Sequence, residues 1–98
     1  MDILIENDGR TVIIKPAGNI DFVSAPELDD AVVREAADAE KLVFDFSAVN
    51  YIASAGIRTI LNADELMESK GGIKIVHANP NVMAVFEMTG INSIIDVE

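Results

Sequence analysis

From Lys41 to Val49 the chain reads KLVFDFSAV, and a segment of helical periodicity stands on either side of it. A strand wetted on one face alternates apolar and polar residues. A run this continuous predicts a strand placed centrally in a sheet. Upstream, SAPELDDAVVREAADAE predicts a helix: Ser24 stands three residues before Glu27, the capping-box spacing, and Pro26 suits a first turn. Leu28, Ala31, Val32 and Ala36 share one face, and Asp29, Asp30 and Glu35 lie largely elsewhere. Downstream, a second helix is expected from Ser54 to Lys70, burying Ile57, Ile60, Leu61, Ala63 and Met67, with Gly71 and Gly72 ending it. A central strand between two helices requires crossover connections, and these are right-handed and make neighbouring strands parallel.

The rest of the chain extends the same alternation. IKIVHA reads as a strand, and NPNVMAVFEMTG as a third helix with Asn79 as cap, Pro80 in its first position and Gly90 at its end. SIIDVE closes as a short strand. Met67, Met83 and Met88 fall at helical core positions. At the start, Ile3 to Glu6 alternate, NDG supplies a turn, and Thr11 to Ala17 is rich in β-branched residues, which predicts a hairpin. Pro16 lacks an N–H and points to a strand end or edge, and Gly18–Asn19 is expected to break the strand. The predicted class is α/β, with a mixed, largely parallel sheet whose first strand is antiparallel. No linker or repeat divides residues 1–98, so one domain is expected, and a chain of this length buries about two-thirds of its unfolded surface.

Composition narrows the function. With no Trp and 5% aromatic residues the expected core is aliphatic. There is no Cys, hence no disulfide framework and no thiolate metal site. Seventeen acidic residues against seven basic give a net charge of −10, and the basic ones are scattered. Nucleic acid and anionic membrane surfaces both select clustered cations, so neither is an expected partner. The N-terminus has no basic start and apolar run of a signal peptide, and no apolar stretch reaches the roughly 20 residues that span a bilayer. A soluble cytoplasmic protein is expected.

The chemistry concentrates at DFSAVNYIASAGIR, Asp45 to Arg58, where a strand runs through a short turn to a lone Ser54 before a helix. Serine is a favoured helix cap, typically worth about 1 kcal/mol over Ala. A cap needs no bare surroundings, whereas a modifying enzyme does, and Ala53, Ala55 and Gly56 leave Ser54 bare. Asp21 suits an Asx turn after Gly18–Asn19. Asp45 invites a phosphoaspartate reading, but a receiver domain needs an acidic pair after its first strand and a late lysine, and IENDG and IKIVHANP supply neither. IASAG lacks the first glycine of a nucleophile elbow, and His77 is the only histidine available as a base. No ligand spacing suggests a metal, and no cofactor is expected.

DFSAVNYIASAGIR followed by GGIKIVHANPNVMAVFEMTGI resembles a STAS domain of the anti-sigma factor antagonist kind, across essentially the whole chain. The resemblance rests on an aspartate–hydrophobic–serine opening, a Ser-x-Gly-hydrophobic entry to the helix, GNID after the second strand, and the ending FEMTGI. It implies a mixed sheet with helices chiefly on one face, and a binding protein rather than an enzyme. It also implies that Ser54 is phosphorylated by an anti-sigma factor serine kinase, which binds the free form. Asp21, Ser54 and Gly56 would then form the contact surface, and Arg58, one turn on from Ser54 in the expected helix, is placed to join it and hold the phosphate. An unphosphorylated STAS scaffold module is the alternative. Many members carry Asp before this serine and Ser or Thr after it; here those positions are Ala53 and Ala55.

Overall fold

A computed structural model describes all 98 residues. The chain forms β1 (Asp2–Asp8), β2 (Thr11–Ile20), α1 (Ala25–Ala36), β3 (Lys41–Asp45), β4 (Ala48–Ile52), α2 (Ser54–Met67), β5 (Ile73–Val76), α3 (Pro80–Thr89), a 3₁₀ turn (Ile91–Ser93) and β6 (Asp96–Val97). The sheet order is β1-β2-β3-β5-β6, with β4 also paired to β2. Only β1 is antiparallel to its neighbour, as expected. The hairpin turn is one residue pair later than NDG suggested. Asp8 pairs with Thr11, and Gly9 supplies the left-handed conformation at φ 66°.

The apolar run that defined the fold is two strands, not one. Thr11–Ile14 of β2 pair with Lys41–Phe44, and Ala17–Ile20 pair with Ala48–Ile52, so β3 and β4 share one edge of β2 in series. Asn50 and Tyr51, in the short turn expected before Ser54, belong to β4. Gly18–Asn19 does not end β2 either. The register shifts there, with Gly18 at φ 97°, and the strand continues to Ile20. Pro16 lies inside β2 rather than at an end, but Lys15 and Pro16 face the gap between the β3 and β4 pairings. A missing donor is tolerated where one side carries no ladder.

Burial alternates along the strands. Val12, Ile14, Leu42, Phe44, Ile73 and Ile75 are buried, whereas Ile13, Lys15, Val43, Asp45, Lys74 and Val76 are half-buried. The helices therefore cover one face, and β3 is central without being covered twice. The core is not purely aliphatic. Phe44, Phe46 and Phe86 are fully buried, with ring centroids 6.1 Å apart for Phe44–Phe46 and 6.2 Å for Phe46–Phe86. Edge contacts of this kind add to simple burial, and here they join β3 to α3. Two expected core residues face solvent, Leu61 and Met88, the latter 84% exposed.

Helix ends explain where the elements stop. Asn79 accepts the Val82 N–H at 2.8 Å as cap of α3, and Gly90 at φ 77° ends it, both as expected. The Asn79 amide also donates to the carbonyls of Val49 and Asn50, at 3.0 and 3.1 Å, which ties α3 to β4. The capping box of α1 does not form. Glu27 instead pairs with the Met1 amino group at 2.8 Å, and Ser24 turns back toward β2.

Candidate functional site

β2 and β4 end side by side. Ile20 pairs with Ile52, and the Ala53 N–H donates to the Ile20 carbonyl at 2.8 Å. Asp21 and Ser54 therefore leave adjacent parallel strands at the same end of the sheet, although they are far apart in sequence.

Asp21 Oδ1 accepts the backbone N–H groups of Val23 and Ser24, both at 3.0 Å, forming the Asx turn. Ser24 Oγ donates to the Asn19 carbonyl at 2.7 Å and accepts the Asp21 N–H at 2.9 Å. The loop entering α1 is thus held by its own polar side chains. The Ser24 backbone N–H holds the Asp21 carboxyl below its ordinary value, and the Val23 N–H and Ser24 hydroxyl add to it against the opposing effect of burial. Just beyond Asp21, Phe22 and Val23 project into solvent, Phe22 with 85% of its surface exposed.

Ser54 is the first residue inside α2, not its cap. Ala53 occupies the cap position with extended backbone (ψ 177°), and no side chain caps the helix. Ser54 is exposed. Its hydroxyl therefore stands at a helix N-terminus, where free amides and the helix dipole favour an anion. Gly56, expected at the contact surface, points inward. A Cβ there would meet Ile20 Cγ2 and Ile52 Cγ1, each at 2.6 Å, so the first turn of α2 lies against β2 and β4 only because Gly56 lacks a side chain. Arg58, one turn on from Ser54, is exposed. It lines a hollow of about 150 Å³ with Phe22, Pro26, Asp29 and Ala55.

The structure thus gathers the Asp21 loop, Ser54 and Arg58 on one surface and places Gly56 beneath it. From sequence, Phe22 reads only as a neighbour of Asp21 in NIDFV, and Asp29 only as part of the polar face of α1. The one signal was the apolar pair Phe22–Val23 placed before the Ser24 helix start, where a turn is usually polar.

Asp45 and His77 form a separate pair. Asp45 Oδ1 accepts the Ser47 N–H at 3.0 Å and lies 3.0 Å from His77 Nδ1. Burial acts to raise the Asp45 carboxyl, but the Ser47 N–H and the His77 hydrogen bond outweigh it and hold it below its ordinary value. His77 sits at φ 62°, a left-handed conformation uncommon outside glycine, and is held there facing Asp45. No three His, Cys, Asp or Glu side chains gather as a metal site. No helix is long and apolar enough to cross a membrane.

Comparison with known proteins agrees with this fold. The STAS domain family model matches residues 2–98. The chain is 29% identical over 98 residues to the anti-sigma-B factor antagonist of Bacillus subtilis, covering 99% of this chain and 90% of that protein. An anti-sigma factor antagonist from Mycobacterium paratuberculosis superposes with a TM-score of 0.91 at 27% identity, covering 98% of this chain and 83% of the other. SpoIIAA in its unphosphorylated form superposes at 0.84 with 18% identity, covering 99% and 88%, and shares the fold. Its phosphorylated form superposes at 0.75 with 17% identity, covering 99% and 91%.

Proposed function

Because the chain belongs to the STAS domain family, whose anti-sigma factor antagonists are regulatory binding proteins rather than enzymes, we propose that it is a phosphorylation-switched antagonist of an anti-sigma factor serine kinase. In the cytoplasm the free form binds the kinase, and phosphorylation of Ser54 releases it. The observation that carries this reading is the exposed Ser54 at the start of α2, beside the Asp21 loop and one turn from Arg58.

In the modification, Ser54 Oγ attacks the γ-phosphorus of the kinase's Mg-ATP, the bond to the β,γ-bridging oxygen breaks, and the serine proton passes to the kinase. The product carries about −1.5 to −2 charge. At the N-terminus of α2 that charge meets free amides, a favourable dipole and the Arg58 guanidinium at i+4, so the domain keeps its fold. A kinase surface closed over Ser54 meets the same charge without a partner of its own. A buried unpaired charge costs several kcal/mol, and about 4 kcal/mol corresponds to roughly a thousandfold loss of affinity.

The test combines intact-mass measurement after incubation with Mg-ATP and the candidate kinase with binding and melting curves for wild type, Ser54→Ala and Ser54→Asp. The expected results are one added phosphate on wild type, persistent binding by Ser54→Ala, and release by a folded Ser54→Asp. Tight binding by Ser54→Asp, or release through unfolding, refutes the switch. Ala53 and Ala55 at the flanking positions favour the scaffold reading as the alternative. Constitutive kinase binding with no added phosphate would establish it.

A further inference from the structure

The seam between α1 and α2 is open along the outer surface. Pro26, Asp29 and Val33 of α1, at i, i+3 and i+7, face Ala55, Arg58, Asn62 and Leu66 of α2 across two hollows of about 150 and 580 Å³. Asn62 lines both, so the two hollows form one groove that begins beside Ser54 and runs toward the far end of the helices. Isolated exposed apolar residues are ordinary on a protein surface. Here Phe22, Val33 and Leu66, respectively 85%, 62% and 45% exposed, all line the same groove. Asp29 and Glu65 supply its acidic charge, and Arg58 is its only cation, at the Ser54 end.

We propose that this groove docks an amphipathic helix of the partner, with its apolar ridge on Phe22, Val33 and Leu66 and its basic flanks toward Asp29 and Glu65. The reach from Ala55 to Leu66 is about 16 Å at the α-helical rise, or three turns of a docked helix. Two carboxylates against one guanidinium, beside exposed apolar side chains, favour a cationic amphipathic helix. A second copy of the chain is disfavoured, because each carries a net charge of −10 and would oppose acid to acid. The inference rests on the proposed function only in taking that helix to belong to the kinase. It extends the surface formed by the Asp21 loop, Ser54 and Arg58 to Val33, Asn62 and Leu66.

The first experiment titrates the ¹⁵N-labelled chain with a Leu/Lys amphipathic helical peptide at physiological ionic strength, alongside a peptide of equal composition scrambled to have no apolar face. Amide shifts centred on Phe22, Val33, Asn62 and Leu66 are expected for the amphipathic peptide alone. Roughly tenfold or more weaker binding is expected for Val33→Ser/Leu66→Ser, which loses two anchors at solvent-facing positions, with its fold checked by circular dichroism. Shifts spread over the acidic surface, equal binding of the scrambled peptide, or a concentration-dependent dimer through this groove would overturn the proposal. The second experiment measures kinase binding by the same double variant and by Ser54→Asp. If Ser54→Asp releases the kinase and the double variant binds as wild type does, the groove proposal falls and the switch stands. If the kinase binds neither wild type nor variant, the switch falls and the peptide titration still decides the groove.

Discussion

Gly56→Ala is the substitution on which sequence and structure give opposite signs. In a helix, Ala is favoured over Gly by up to about 1 kcal/mol, so local propensity predicts a gain. The packing predicts a loss. The new Cβ would lie 2.6 Å from Ile20 Cγ2 and from Ile52 Cγ1, and 3.0 Å from Ile52 Cδ1. Carbon contacts prefer about 3.5–4.0 Å, so the two closest are roughly 1 Å too short. Ile20 and Ile52 are both fully buried and have no open side to move into. Overpacking of this kind typically costs about 1–3 kcal/mol, and two simultaneous overlaps place it near the upper end. Subtracting the propensity gain leaves a net destabilisation of about 2 kcal/mol, or roughly 8–16 °C in Tm for a domain near 100 residues. Urea and thermal melts of wild type, Gly56→Ala, Ile52→Ala and the double variant measure it. In the Ile52→Ala background the Gly56→Ala cost should fall but not vanish, because the Ile52 overlaps are gone while the 2.6 Å overlap with Ile20 Cγ2 remains. A Gly56→Ala protein as stable as wild type, with weakened kinase binding, would refute the packing account and restore Gly56 to the contact surface.

Asp21→Asn should lower Tm at neutral pH, because Asp21 accepts two backbone N–H groups. The folded carboxyl lies below its ordinary value, so its stabilisation is present above the unfolded carboxylate pKa and is lost as pH falls through the folded one. The gap between wild type and Asp21→Asn should therefore close from about pH 4 downward in melts across pH, and a constant gap would exclude the linkage. Asn79→Ala should cost about 1–2 kcal/mol in urea unfolding, since it removes the cap of α3 and the tie to β4; a neutral result would show both contacts to be replaced by water. Met88→Gln should stay within about 0.5 kcal/mol of wild type, as an exposed position does, whereas a core Met would lose several times that.

The local elements of this protein were legible in its sequence because they are set by neighbours a few residues apart. The apolar spacing of Leu28, Ala31, Val32 and Ala36 placed α1. Asn79, Pro80 and Gly90 marked both ends of α3, and the helices between strands required parallel pairing. Ser54 was located at the start of a helix, though as its first residue rather than its cap, because Ala53 takes the extended cap conformation. What neighbours along the chain do not encode is which strand meets which. KLVFDFSAV divides at Phe46–Ser47 because β2 offers one edge long enough for two partners, with the Gly18 bulge re-aligning the second. Helical position does not say which way a residue faces once α2 is set on the sheet, so Gly56 turned inward onto Ile20 and Ile52 while Leu61 turned out. Met88 likewise sits on the side of α3 that nothing covers. The surface joining the Asp21 loop to Ser54 exists only because Ile20 pairs with Ile52, a contact between residues 32 positions apart. Pairing across that distance is decided by which apolar faces can be buried together, and only the packed sheet decides it.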